Sequence, residues 1–403
     1  MERPQLFISA GEPSGDLLGG ELLQALKRRM PELEAFGICG PKMREAGAEA
    51  LFGIEELSVM GFVEVIKHLP FIKQLESQLL YTLEQRGVRC AVLIDYPGFH
   101  LRLAESLRLR GIYVFQYVAP QLWAWGEKRT KTLRAVTDQV LGIMPFEEKF
   151  FRERSVRYTY VGTPQVDRAK GARADRQRYG LDTRPTIGFF PGSRPGEISR
   201  LLPRMLAARA VLRASDPELR FVVSMAPHLP LELFARIFAE PLVPIASYGD
   251  QGDIYKAGDT TLVRGESIHL MKTVDAALVT SGTATLECAL VETPMAVVYV
   301  MQNLSWQIAK RFVKLSHISL VNLVAEAGLV PEFIQNFSAE EVAKTLEALA
   351  KPGPERTAQK LALHALHARL HGDLAERAAE AVLAFFVAES SATDLGRDGP
   401  EAP

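Results

Sequence analysis

In the first half of the chain, short apolar runs alternate with longer amphipathic stretches. The runs are "QLFISA", "EAFGIC", "AVLIDY", "YVFQYV", "DQVLGIMP" and "YTYVG". Between them, positions 14–29, 63–86 and 100–110 carry apolar residues at helical spacing. Apolar runs without a polar face, separated by helices, predict a parallel sheet covered on both sides. The stretch "DRAKGARADRQRYGLDTRP" then breaks the pattern, and its polar, charged composition suits an interdomain connection. After it the alternation restarts: "TIGFFPGSR", helix 197–214, "RFVVSM", helix 230–239, "TTLVRG", helix 266–273, "AALVTSG", helix 283–291 and "MAVVYV". The expected fold is α/β, with two tandem Rossmann-like domains over residues 1–170 and 180–350 and a cleft between them. Helices continue to about residue 388. Those near 355–388 are expected to return to the first domain, and the small, polar tail 389–403 to be disordered.

Composition narrows the class without changing this picture. The chain has 403 residues, 47% hydrophobic and 24% charged, with a net charge of -1. That balance suits a soluble globular protein and gives no sign of bulk nucleic-acid binding. Cys39, Cys90 and Cys288 lie far apart with no C-x-x-C pair, so neither a disulfide framework nor a zinc site is suggested. The N-terminus enters a strand directly and no apolar run is long enough to span a bilayer, which points to the cytoplasm.

Five segments could carry chemistry. "FFPGSRPGEI" runs from strand to helix through Gly192, Ser193 and Arg194. Gly192 allows close backbone approach, Ser193 can cap the helix, and Arg194 offers a planar fork for phosphate oxygens. "TSGTATLEC" repeats the plan: Ser281, Gly282 and Thr283 lead into a helix, with Glu287 a turn further on and suited to ribose hydroxyls. The plain alternatives are an ordinary N-cap with a surface arginine, and a helix-dipole acid. In "VLIDYPGFH", Asp95 ends a buried strand, where a general base would sit, and His100 follows on the next helix as a rival titrating group. Asp95 could equally cap the turn. "YVAPQLWAWGEKRTK" pairs Trp123 and Trp125 with Lys128, Arg129 and Lys131, which fits a sugar or lipid platform if exposed and ordinary core if not. Finally Phe62, Val65, Ile66, Leu69, Phe71 and Ile72 form a helical apolar stripe flanked by Lys67, His68 and Lys73. It is either a core face or a membrane-contact patch. The chain has no Asp-x-Asp pair, so no metal is expected to hold a nucleotide diphosphate, and no cofactor is implied.

The first loop, "SAGEPSGD", is glycine-rich like a phosphate loop but carries Glu12 and Asp16, which would repel phosphate. Together with "GICGPKMREAG", "LSVMGFVEV", "IDYPGFH", "YVAPQLWAW", "MPFEEKFF", "PGSRPGEI", "TSGTATLEC" and "SLVNLVAE", it makes the chain resemble the lipid-A-disaccharide synthases, bacterial glycosyltransferases of the GT-B type, up to about residue 388. The resemblance implies an inverting transfer from UDP-2,3-diacylglucosamine to the 6-hydroxyl of 2,3-diacylglucosamine 1-phosphate (lipid X), releasing UDP. It implies that Asp95 is the catalytic aspartate and that Arg194 binds the diphosphate. Glu12 and Ser14 match the acidic first loop, Glu12 as a second catalytic candidate that binds sugar hydroxyls or orients Asp95, and Ser14 as a substrate contact that also caps the helix. Ser281, Thr283 and Glu287 match the UDP-side loop, and Asn322 a segment that closes over the nucleotide. Where the family reads Asp-x-Pro-Asp-Phe-Asn, this chain has Gly98 and His100, which raises His100 as an auxiliary.

Because both substrates are acylated, the resemblance also implies peripheral attachment to the inner face of the inner membrane, with the 62–75 stripe as the contact. Exchange of the C-terminal segment within a homodimer is the alternative to its packing back on its own chain. The competing functions are another UDP-sugar enzyme of the same fold, such as an N-acetylglucosamine transferase or epimerase, and a non-catalytic nucleotide-binding module.

Overall fold

The computed structural model describes residues 3–58, 69–247, 252–302 and 316–395. The chain divides into two compact units: residues 1–163 with 373–403, and residues 164–372.

The first unit is built on seven strands: β1 (Gln5–Ala10), β2 (Glu34–Cys39), β3 (Glu49–Gly53), β4 (Cys90–Ile94), β5 (Tyr113–Tyr117), β6 (Gln139–Gly142) and β7 (Tyr158–Tyr160). They pair in parallel in the order β3-β2-β1-β4-β5-β6-β7. The order reverses between β1 and β4, which is where ligands bind in this kind of sheet. The central strands β1, β2, β4 and β5 are largely apolar because both faces are covered. Leu6, Ile8, Val92, Ile94, Phe115 and Tyr117 enter one core, while Phe7, Phe36, Ala91, Leu93 and Val114 enter the other.

The first core is closed by the helix Pro13–Arg29 and by the last helix, Leu374–Leu395. The last helix buries Leu374, Ala378, Ala379, Val382 and Phe386 there. Glu376 and Glu380 on it pair with Arg28 and Arg29 at the end of the first helix. The return to the first domain is therefore made by this helix alone. The preceding helix, Pro354–Leu366, packs within the second unit, where Gln359 exchanges hydrogen bonds with the Met295 backbone. The expected tail from 389 is helical as far as Leu395.

The second unit has eight strands: β8 (Thr186–Phe190), β9 (Arg220–Met225), β10 (Val243–Ser247), β11 (Asp253–Ala257), β12 (Thr260–Arg264), β13 (Ala276–Thr280), β14 (Met295–Tyr299) and β15 (Glu332–Ile334). Their order is β10-β11-β12-β9-β8-β13-β14-β15, with the first two pairings antiparallel and the rest parallel. Here the reversal falls between β8 and β13. Strand β10 has no apolar alternation to announce it, since Val243 and Ile245 on this edge are both exposed. The polar stretch 167–185 is not a free connection. Tyr179 is buried, and Arg176 donates to the Asp182 carbonyl, Thr186 Oγ1 and Asp275 Oδ2. Its charges serve ion pairs within the second unit, and the division between the units falls between Thr163 and Pro164.

Of the apolar stripe, Phe62, Val65 and Ile66 lie outside the described residues. The helix Leu69–Gln85 turns Ile72, Leu75, Leu79 and Leu83 into the core, so Ile72 is not a surface residue, while Phe71 is 38% exposed.

Candidate active site

The loops after β1 and β4 flank the reversal point of the first sheet, and they carry Glu12 and Asp95. Asp95 has φ 51 and Tyr96 φ 46, two consecutive left-handed residues without a glycine. Such a pair costs on the order of 1–3 kcal/mol per residue and persists only where the surroundings hold it. Here they do. The Asp95 amide donates to the Tyr117 carbonyl at 2.8 Å. The Asp95 carbonyl accepts from His100 Nδ1 at 2.8 Å and from Gln116 Nε2 at 3.2 Å. Pro97 then sits in the first turn of the helix Pro97–Arg108, where its missing N–H costs nothing.

His100 is fully buried, and burial pushes its imidazole down to about 4, so the ring is neutral near pH 7. A carbonyl can only accept, so Nδ1 carries the hydrogen. Nε2 then accepts from the Ser9 hydroxyl at 2.9 Å. Both ring nitrogens of His100 are thus engaged within the fold. The ring is a spacer that fixes the Asp95 backbone. The Asp95 carboxyl is raised above the usual range, chiefly by burial and further by the Glu12 charge, against a hydrogen bond from the Tyr96 amide. That is the direction required of a general base.

The acidic first loop separates into two roles. Asp16 is 2% exposed and accepts from the backbone amides of Gly40, Lys42 and Met43 at 2.8–3.1 Å. It satisfies the free N–H groups at the start of the short helix Pro41–Glu45. Glu12 is exposed and occupies the N-cap position of Pro13–Arg29, with no side-chain cap bond. Ser14, expected to cap, lies inside the first turn with its side chain exposed.

In the second unit the loops after β8 and β13 flank the other reversal point. Gly192 has φ +105 and Gly282 φ +149, values that exclude most side chains. A Cβ on Gly282 would meet no atom of the described residues within 4 Å. Arg194 occupies the N-cap position of the helix Pro195–Ser215, its side chain 82% exposed, with Nη1 2.9 Å from Glu197 Oε1. Ser193 does not cap that helix, and its carbonyl accepts from His228 Nε2 at 2.9 Å. Ser281 spends its hydroxyl on the Ile318 carbonyl at 2.8 Å, while Thr283 is exposed at the start of the helix Thr283–Leu290. Glu287 lies one turn in, half-buried, 3.5 Å from Arg168 Nη1. Burial raises its carboxyl and Arg168 opposes the rise.

Asn322 is 1% exposed, with Nδ2 on the Val330 carbonyl and Glu332 Oε1 and with Oδ1 on the Val330 amide. Both polar atoms of its side chain are engaged within the fold. Glu332 was missed by sequence reasoning. It accepts from the Ile318 and Ser319 amides, the Ser319 hydroxyl and Asn322, and so holds the segment that anchors Ser281. An isolated acid after Pro331 gives no signal of that role. Ser9 and Gln116 were missed for the same reason.

The tryptophans also divide. Trp123 donates from Nε1 to Glu147 Oε1 at 2.8 Å and lies edge-on to Phe146, whereas Trp125 is 66% exposed. Glu147 is 3% exposed and burial pushes its carboxyl up to about 7, against hydrogen bonds with Trp123 and Tyr158. The Tyr158 hydroxyl lies between the Met144 carbonyl at 2.7 Å and Glu147 Oε2 at 2.9 Å and donates toward both acceptors. Among the described residues no group of three or more His, Cys, Asp or Glu could hold a metal ion, and no helix is long and apolar enough to cross a membrane.

Residues 6–385 match the lipid-A-disaccharide synthetase family. The lipid-A-disaccharide synthase of Anaeromyxobacter dehalogenans strain 2CP-1 is 41% identical over 370 residues, covering 91% of this chain and 93% of the relative. That of Myxococcus xanthus is 38% identical over 387 residues, covering 94% and 97%. Among solved structures, a putative UDP-N-acetylglucosamine 2-epimerase from Listeria monocytogenes superposes with a TM-score of 0.60 at 10% identity, covering 95% of each chain. MurG of Acinetobacter baumannii does so with a TM-score of 0.54 at 13% identity, covering 94% of this chain and 99% of its own. At such identities these two share the fold alone, which is that of the GT-B glycosyltransferases. The chain belongs to the lipid-A-disaccharide synthase family, glycosyltransferases of lipid A biosynthesis.

Proposed function

We propose that the first unit supplies the base and the second the nucleotide contacts for transfer from UDP-2,3-diacylglucosamine to 2,3-diacylglucosamine 1-phosphate. Asp95 takes the proton of the acceptor 6-hydroxyl as that oxygen attacks the anomeric carbon. The bond from that carbon to the UDP oxygen breaks with its electron pair, so the centre inverts and UDP leaves as an anion. Arg194 and the backbone at Gly282–Thr283 stabilise the leaving diphosphate, as fixed cations and helix-start amides do. The single observation that carries this reading is Asp95, held in a left-handed conformation at the strand reversal with its carboxyl raised.

The substrates' acyl chains support placing the protein peripherally at the inner face of the inner membrane, with exposed Phe71 at one end of the candidate contact. A homodimer stays a proposal that gel filtration can decide. The test of function is a direct assay. Disaccharide is expected from UDP-diacylglucosamine with the phosphorylated diacyl acceptor, and none when UDP-N-acetylglucosamine replaces the donor. Equal product from both donors would overturn the substrate assignment. Full turnover by a folded Asp95→Asn variant would overturn the mechanism.

A further inference from the structure

We propose that the segment leaving β5 is the acceptor subsite, with Trp125 under the sugar and Lys128, Arg129 and Lys131 taking its phosphate monoester. This rests on the acceptor assignment above and adds a binding site within the first unit.

Its position follows from the sheet. Strand β5 pairs with β4 along its whole length, and the two strand exits are tied by the Asp95 amide on the Tyr117 carbonyl and by Gln116 on the Asp95 carbonyl. The chain leaving β5 therefore starts beside the proposed base. It buries Leu122, anchors Trp123 on Glu147, and leaves Trp125 66% exposed two residues later. An indole held out on an anchored loop suits the apolar face of a sugar ring. The helical turn Glu127–Arg129 follows and leads into the helix Thr130–Val136, which packs against Pro97–Arg108, the helix that begins just after Asp95.

Charge points the same way. Lys128, Arg129 and Lys131 are exposed, and no ion pair engages them among the described residues. The carboxylates around them are already committed. Glu127 pairs with Arg154 at 2.6 Å, and Glu148 pairs with Arg152 at 2.9 Å. Glu147 is buried and hydrogen-bonded. What is left is an unneutralised positive cluster beside an exposed indole, which fits a sugar phosphate with two negative charges. The same cations would also meet an anionic bilayer surface, so the test separates the two sources of phosphate.

KM is measured for 2,3-diacylglucosamine 1-phosphate and for the same acceptor lacking the phosphate, with the full-length protein in neutral detergent micelles. Binding to phosphatidylglycerol vesicles is measured separately. Wild type should prefer the phosphorylated acceptor by about tenfold or more, the scale of one to two charge-assisted hydrogen bonds. Lys128→Gln with Arg129→Gln should reduce that preference severalfold while leaving KM for the UDP-sugar unchanged. Trp125→Ala should raise KM for both acceptors alike, by about fivefold. A folded double variant that keeps the wild-type preference overturns the subsite while the reaction stands. A double variant that loses only vesicle binding overturns it in favour of the bilayer. Absence of disaccharide from wild type with either acceptor overturns the acceptor assignment and the subsite together.

Discussion

The carboxyl edges of the two sheets solve opposite problems. In the first unit the polar groups are buried and answer one another: Ser9 to His100, His100 and Gln116 to the Asp95 backbone, and Asp16 to three amides. In the second unit the groups proposed to meet the nucleotide are open, with Arg194 at 82% side-chain exposure and no atom of the described residues near the missing Cβ of Gly282. The difference is chemical. A base must have a raised pKa and a fixed direction, and both come from burial and backbone restraint. A grip on a diphosphate needs charge and donors within reach of solvent, and Arg194 keeps most of its side chain exposed although one Nη is held by Glu197.

If this contrast is right, the two edges fail differently. Asp95→Asn should lower kcat by about 10²–10⁴, the usual share of a general base, with little change in KM for the UDP-sugar. Arg194→Ala should cost about 10² in kcat, since it acts on the departing charge, and should also weaken UDP inhibition. Steady-state kinetics with UDP as product inhibitor reads both. The contrast breaks if Asp95→Asn weakens UDP binding and Arg194→Ala does not.

His100 tests the buried side more finely. The folded ring resists protonation down to about 4, whereas an unfolded histidine takes its proton near 6.5. The unfolded state therefore binds more protons in that window, and stability is lost as pH falls from about 6.5 to about 4, by up to roughly 3 kcal/mol. His100→Asn should flatten this part of the profile, measured as urea midpoint against pH. It should also lower kcat by about tenfold without moving KM for the donor. An unchanged acid profile would mean that the ring is not the buried neutral group described here. Glu147 has the opposite sign. Its folded carboxyl titrates at about 7 against 4.5, so its contribution is full below 4.5 and is lost as pH rises through 7. Glu147→Gln should shrink the stability loss between pH 5 and 8.

The legibility of the chain divides along the same line. The apolar runs gave the parallel strands of both sheets from β1 to β14, except for β3 and the β10–β11 hairpin, because a strand buried on both faces must be apolar throughout. Asp95 and the Gly192 and Gly282 loops were visible because strand-end loops have a restricted vocabulary. The buried network was not. Asp16 caps a helix that begins 25 positions later, and nothing local distinguishes it from Glu12. Ser14 and Ser193 looked like caps, but the caps fell at Glu12 and Arg194, because Pro13 and Pro195 fix where each helix starts. Asn322 and Glu332 engage each other through long-range bonds that no spacing announces.

The smallest expected effect sits at Glu12, where the two edges come closest in character: it is an exposed acid on the buried side. Its charge adds to burial in raising the Asp95 carboxyl. Asp95 must be ionised in the free enzyme to accept a proton, so its pKa sets the acid limb of kcat/KM. Removing the Glu12 charge lowers that pKa. Glu12→Gln should therefore move the acid limb to lower pH, a modest shift because water screens a partly exposed pair. If Glu12 also holds acceptor hydroxyls, the same variant raises KM for the acceptor at every pH, whereas a purely electrostatic role leaves the plateau unchanged. A limb that stays in place leaves burial as the sole source of the shift, and it would make the first loop's remaining acid a sugar ligand rather than a tuner of the base.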